Sequence, residues 1–133
     1  VLAKKMQDFG TYTGIAFQLK DDLFDYLSKN IIGKPVGIDI KEQKMTLPLI
    51  YTLNSAKEID RKYFFNIIKK HNNNQSKVKE LIEFVKKSGG LDYAIGVMKD
   101  YQQKAKDILA EFPDSEAKHS LNLMLDYVIE RKF

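Results

Sequence analysis

The chain has 133 residues, 44% of them hydrophobic and 30% charged, with a formal net charge of +4 and no cysteine. That is enough for one domain with a real core, in the composition range of globular proteins. It excludes a disulfide framework or a thiolate metal site, and no run approaches the ~18 consecutive apolar residues of a membrane span.

The opening residues do not read as a signal peptide. The chain starts at Val1, and "VLAKKMQDFGTYTG" already has helical apolar spacing without an N-cap signal, so it is expected to begin inside a helix and to be incomplete. The first helix is predicted over Leu2 to Ser28. The stretch "SKNIIGKPVGIDIKEQK" follows, broken by Gly33, Pro35 and Gly37. It is long for a helical connection, and such loops are often functional.

A second helix is predicted from near Met45 through Leu53, with Pro48 tolerable in its first turn. A break over Ser55 to Asp60 precedes a helix from Arg61 to Lys70. "HNNNQS" reads as a polar loop, and Lys77 to Lys87 as an amphipathic helix with Val78, Leu81, Ile82 and Val85 on one face. Ser88-Gly89-Gly90 is its C-cap signal. Leu91 to Phe112 carries Ile95, Met98, Tyr101, Ala105, Ile108 and Leu109 as a core stripe. Pro113-Asp114-Ser115 stops that helix and caps the last, Glu116 to Arg131. No period-2 strand, repeat or linker appears. The fold class is therefore all-α, a helical bundle of about six helices in a single domain over residues 1–133. The lysines at 69, 70, 77, 79, 86 and 87 fall on helix faces and read as solvated surface; nucleic-acid binding would want a denser patch with a recognisable module.

The first helix carries three aspartates within five residues, in "GIAFQLKDDLFDYL". Aspartate is a poor helix former, and two like charges about 4 Å apart repel by ~1 kcal/mol even in water. At about 100° per residue, Gln18, Asp21, Asp22 and Asp25 fall at i, i+3, i+4 and i+7. They form one narrow stripe, extended backwards by the small residues Gly14, Thr11 and Gly10. Ile15, Phe17, Leu19, Leu23, Phe24, Tyr26 and Leu27 make most of the remaining circumference apolar. The helix is expected to be mostly buried, with the thin stripe lining a cavity. Clustered carboxylates suit a hard cation such as Mg2+, which takes oxygen ligands together with water and substrate phosphates. The competing reading is a solvated acidic face. In the loop beyond, Lys34 and Lys44 flank Asp39 and Glu42, and ammonium groups there suit a phosphate ligand. Gly33 and Gly37 would let backbone approach such a ligand closely.

"FQLKDDLFDYL" followed by "GKPVGIDIKEQKMTLPLI" resembles the C-terminal half of the trans-type polyprenyl diphosphate synthases: their second aspartate-rich motif, FQxxDDxxD, and the GKxxGxDxxxxKxTLPLI segment after it. The match is dense from about Gly10 to Leu53 and looser to the end, where "LDYVIERKF" resembles the family's last helix. The resemblance implies an all-helical isoprenoid-synthase-type bundle around a deep cavity, usually a homodimer. It implies Mg2+-dependent condensation of isopentenyl diphosphate with an allylic diphosphate such as farnesyl diphosphate, with Mn2+ as a possible substitute. The setting expected is the cytoplasm.

Carried over position by position, the resemblance makes Asp21 the first metal-binding aspartate of the motif. Asp22 and Asp25 match the others, Asp25 acting through water or through contacts behind the metal ligands. Gln18 and Phe17 match the preceding pair, and Gln18 would face the diphosphate or the growing chain; Phe17 also reads as plain core. Lys34 and Lys44 match lysines that contact the allylic diphosphate, and Asp39 a supporting aspartate. Arg131 and Lys132 resemble a basic C-terminus that closes over the isopentenyl site. His71 and His119 match nothing. Position 43 is Gln where many members have Gly, a departure that bears on the placing of Lys44. The first aspartate-rich motif and the upstream isopentenyl-binding residues have no counterpart here. The chain is therefore expected to be a C-terminal fragment, inactive alone. Its "GTYTGIAFQLKDDLFDYL" wording is most like bacterial long-chain members of the octaprenyl type. The alternatives are a non-catalytic partner subunit, against which the intact aspartates and lysines speak, and a metal-dependent terpene cyclase, which would carry an Asn/Ser/Glu triad in place of the DDLFD run.

Overall fold

The computed structural model describes residues 2–27, 40 and 42–130, with only the backbone of residues 25, 27, 128 and 130. Six helices stand among the described residues: α1 (Leu2–Leu27), α2 (Leu47–Ser55), α3 (Glu58–Lys70), α4 (Gln75–Lys87), α5 (Gly90–Ala110) and α6 (Glu116–Glu130). No strand is present among them, so the all-α expectation holds. The helices group into two compact units, one of Val1–Asp21 with Ile95–Phe133, the other of Asp22–Ala94.

In the first unit Phe9, Ala105, Leu109 and Leu125 form the centre of the core. Tyr12, Ile108, Phe112 and Leu121 close its rim. Fully burying such side chains stabilises by about 1.5–3 kcal/mol each. Tyr12 and Tyr101 meet at 5.9 Å, and the Lys104 ammonium lies 5.6 and 4.9 Å from their ring centres, a cation–π arrangement. Pro113 follows the end of α5, where the Lys118 Nζ donates to the Phe112 carbonyl at 2.9 Å. Ser115 then caps α6 as expected: its Oγ accepts from the Lys118 amide at 3.1 Å.

In the second unit α2, α3 and α4 pack around Leu49, Leu53, Phe64, Ile67, Leu81 and Val85. Phe64 stacks on Phe84 with centroids 4.2 Å apart. Pro48 occupies the first turn of α2 after Thr46. The Thr46 hydroxyl makes no cap bond, because it pairs with the Tyr26 hydroxyl at 3.1 Å. Arg61 closes the other end of α2, its Nε donating to the Leu53 carbonyl at 2.9 Å and its Nη2 to that of Ala56 at 3.1 Å.

Several boundaries depart from the sequence reading: α2 starts at Leu47 rather than near Met45, and α5 ends at Ala110 rather than Phe112. Helix α3 starts at Glu58 rather than Arg61, since Glu58 and Asp60 in its first turn suit the positive end of the helix dipole. Helix α4 starts at Gln75 rather than Lys77, because Asn74 is its cap and accepts from the Lys77 amide at 3.2 Å. Gly89 ends α4 with φ +80°, as a C-cap glycine should. Gly90, however, opens α5 instead of extending that cap.

Candidate functional site

The site begins from the pattern of exposure along α1. Phe9, Thr13, Ala16, Leu19, Leu23 and Tyr26 are buried, and Ile15, Phe17 and Phe24 are half-buried. Gly10, Thr11, Gly14, Gln18 and Asp21 are all exposed. The line is therefore the polar stripe anticipated from helical spacing. A side chain added at Gly10 or Gly14 would meet nothing within 4 Å, so the line is open at these two positions, ahead of the exposed Gln18 and Asp21. Asp22, by contrast, is only 8% exposed. The two neighbouring aspartates thus differ: Asp21 offers its carboxylate to solvent or ligand, and Asp22 sits at the buried edge of the stripe.

Lys20, which the motif match passes over, is 6% exposed. It lies about 200° around the helix from Gln18, on the face opposite the stripe. Its Nζ donates to the Ile129 carbonyl at 3.0 Å. A buried ammonium needs such a partner, and a carbonyl near a helix C-terminus is favourable for a cation. The bond ties the end of α6 to the helix that carries the aspartates. The signal in the sequence was a lone lysine among Ala16, Leu19 and Leu23, on the apolar side.

Lys44 is exposed, on the short segment leading into α2. The residue before it explains the departure at position 43. Gln43 has φ 59°, in the left-handed region where glycine is at ease. Its amide N–H donates to the Ile40 carbonyl at 3.0 Å, making a turn. Its Nε2 reaches the carbonyls of Ile68 and Lys69, at 3.3 and 3.2 Å, in the last turn of α3. A glycine would form the turn without strain; glutamine forms it and also satisfies two helix-end carbonyls. The turn directly precedes Lys44 with Gln43 in place.

Lys34, Asp39, Arg131, Lys132 and the side chain of Asp25 lie outside the described residues. Among the described residues no three acidic or histidine groups come together as a metal cage. Asp21 and Asp22 remain a pair of hard oxygen donors side by side in sequence, of the type Mg2+ takes together with water and phosphate oxygens. Phe17 is half-buried, between its two readings. His71 is the C-cap of α3, its amide donating to the Ile67 carbonyl at 2.9 Å. His119 is exposed in the first turn of α6. No helix among the described residues is long and apolar enough to cross a membrane.

The sequence profile of the family described as polyprenyl synthetase matches residues 2–85. The chain is 37% identical, over 96% of its length, to a short chain isoprenyl diphosphate synthase of Methanothermobacter thermautotrophicus, covering 39% of that protein. It is 32% identical, over 98% of its length, to an octaprenyl diphosphate synthase of Haemophilus influenzae, covering 40%. The crystal structure of a geranylgeranyl pyrophosphate synthase from Bacteroides thetaiotaomicron superposes with a TM-score of 0.86 at 39% identity, over 96% of this chain and 42% of that one. The chain thus spans about two fifths of the length of the relatives it matches.

Proposed function

Because this chain belongs to the polyprenyl synthetase family, we propose that the polypeptide carrying it is a Mg2+-dependent prenyltransferase that joins isopentenyl diphosphate to an allylic diphosphate. The observation that carries the reading is the exposed line from Gly10 to Asp21 with open space beside it. An extended anionic substrate bound along this line would not have to displace core. Asp21 and Asp22, with Asp25, would hold the metal, which when bound supplies positive charge against the diphosphate oxygens.

The chain's own residues do the rest. Lys34 and Lys44 neutralise the negative charge that grows on the leaving diphosphate as the allylic C–O bond opens. Gln18 presents an amide to the diphosphate or the first carbons of the chain. The isopentenyl double bond then attacks the allylic carbon. A new C–C bond forms, and the proton lost from the adjacent carbon goes to the departing pyrophosphate. Lys20, by pinning the end of α6, keeps α1 and its stripe in place.

The product proposed is an all-trans polyprenyl diphosphate of long chain, on the wording around the motif. With it go a homodimer, a cytoplasmic setting and Arg131 as a further diphosphate contact. The relatives are named for products from short chain to decaprenyl, so the length has to be measured. The 133 residues alone are proposed not to condense substrates, because they span about two fifths of those relatives.

The test is to incubate the complete polypeptide with Mg2+, farnesyl diphosphate and labelled isopentenyl diphosphate, and to size the products. A ladder ending at one length supports the proposal and fixes the chain length. No product, with pyrophosphate still bound in a Mg2+-dependent way, would replace it with the partner-subunit reading.

A further inference from the structure

The hairpin of α3 and α4 is where the chain keeps its positive charge. From Lys57 to Lys87 there are nine Lys and Arg against four Asp and Glu. That excess of five is larger than the +4 of the whole chain, so the remainder is close to neutral. Arg61, the one arginine, is turned inward onto the α2 carbonyls. The rest are lysines, and the described structure leaves Lys62, Lys69, Lys70, Lys79, Lys86 and Lys87 exposed.

Apolar side chains stand among them. Ile59 is 77% exposed and Phe65 42%, although the apolar face of α3 is already spent on Phe64, Ile67 and Ile68. At helical spacing Glu58, Lys62, Phe65 and Lys69 share one outward stripe, with Ile59 beside it. The Lys69 Nζ lies 5.2 Å from the Phe65 ring centre, so an ammonium is held beside an outward aromatic ring. Of the acidic residues, Glu58 pairs with Lys62 at 3.3 Å, and Glu80 accepts from the Tyr63 hydroxyl at 2.9 Å. The hairpin therefore presents net positive charge and protruding apolar groups together.

A lysine-rich face is poorly suited to packing inside a protein, because lysines are almost never fully buried unless paired. Flexible ammonium groups on long apolar stems, around aliphatic and aromatic side chains, are the composition of a helix lying at a lipid interface. A nucleic acid backbone has no use for an isolated exposed isoleucine, and base stacking calls for a groove lined by several rings.

We propose that the outer face of the α3–α4 hairpin is a docking surface for an anionic lipid bilayer, with the lysines against the headgroups and Ile59 and Phe65 entering the interface. The inference rests on this face alone and is independent of the reaction proposed above.

The test is sedimentation of the complete polypeptide with vesicles of equal parts phosphatidylcholine and phosphatidylglycerol, beside vesicles of phosphatidylcholine alone. Binding to the anionic vesicles only, weakening with added salt, is expected. Each lysine near such a surface raises partitioning about fivefold, so Lys62→Gln, Lys69→Gln and Lys70→Gln together should reduce it about a hundredfold. Ile59→Ser with Phe65→Ser should weaken what salt leaves. Lys4→Gln, Lys5→Gln and Lys99→Gln together, an equal loss of charge elsewhere, should have a far smaller effect. All these side chains are exposed except Lys5, which is half-buried and pairs with Glu111 at 3.4 Å, and circular dichroism melts verify that the variants fold. Equal loss from the two lysine triples, no preference for the anionic vesicles, or preference for single-stranded DNA over them would each overturn the proposal.

Discussion

The Gln43 side chain holds the end of α3 while its own backbone is left-handed: Nε2 lies 3.2 Å from the Lys69 carbonyl oxygen, at a residue with φ 59°. Two effects oppose each other there. The left-handed conformation costs a non-glycine residue roughly 1–2 kcal/mol. The partly exposed hydrogen bonds to Ile68 and Lys69 return about 1 kcal/mol each at most. Gln43→Gly, which removes strain and bonds together, should leave stability almost unchanged. Gln43→Ala keeps the strain and loses the bonds, and should cost roughly 1–2 kcal/mol. Chemical denaturation of the two variants gives the comparison. An alanine variant as stable as the glycine variant would show that the side-chain bonds and the strain do not govern this turn.

Lys20 makes a second prediction. Lys20→Met preserves the apolar stem and removes the Nζ that donates to Ile129. Leaving a buried carbonyl short of a donor costs about 1–3 kcal/mol. Lys99→Met, on an exposed position of α5, should change stability by no more than about 0.5 kcal/mol. Thermal melts of both variants decide. Equal melts would mean that the Lys20 bond contributes nothing to holding α6.

How much was legible beforehand follows from the range of each interaction. Helix identity depends on local spacing, so all six helices of the described residues were visible. The ends depended on capping that composition shows only weakly: Asn74 was placed inside a loop, and Glu58 and Asp60 in a break, yet they begin α4 and α3. The stripe of Gln18 and Asp21 is a property of one helix, and its exposure followed from spacing. The burial of Asp22 and the bond from Lys20 to Ile129, 109 residues away, depend on tertiary packing, which no local pattern reveals. Gln43 lies between these cases. Its departure from the motif was visible, but the carbonyls that make it useful are 25 and 26 residues further on.

Two glycines of α5 should respond in opposite directions to the same substitution. A Cβ on Gly90 would stand 2.7 Å from the Pro48 carbonyl oxygen and press on the Thr52 hydroxyl. That hydroxyl is itself bonded to Pro48 at 2.8 Å, so neither atom can yield cheaply. Gly90→Ala should destabilise by roughly 1–3 kcal/mol. Gly96 has nothing within 4 Å of such a Cβ, and Gly96→Ala should stabilise the helix by about 0.5–1 kcal/mol. Urea midpoints for the pair check both signs. A neutral Gly90→Ala would mean that α2 and the start of α5 are not in close contact.

Metal and diphosphate are proposed to meet at the exposed stripe of α1, and calorimetry can register that meeting. Pyrophosphate is titrated into the complete polypeptide with and without Mg2+, and into its Asp21→Ala and Asp114→Ala variants. Asp114 is a fitting control, since it is exposed and pairs with Lys118, at 3.3 Å, beside a helix cap. Mg2+-dependent binding is expected, weakened at least tenfold by Asp21→Ala, a loss of about 1.4 kcal/mol, and left intact by Asp114→Ala. Equal effects of the two substitutions, or binding indifferent to Mg2+, would contradict it.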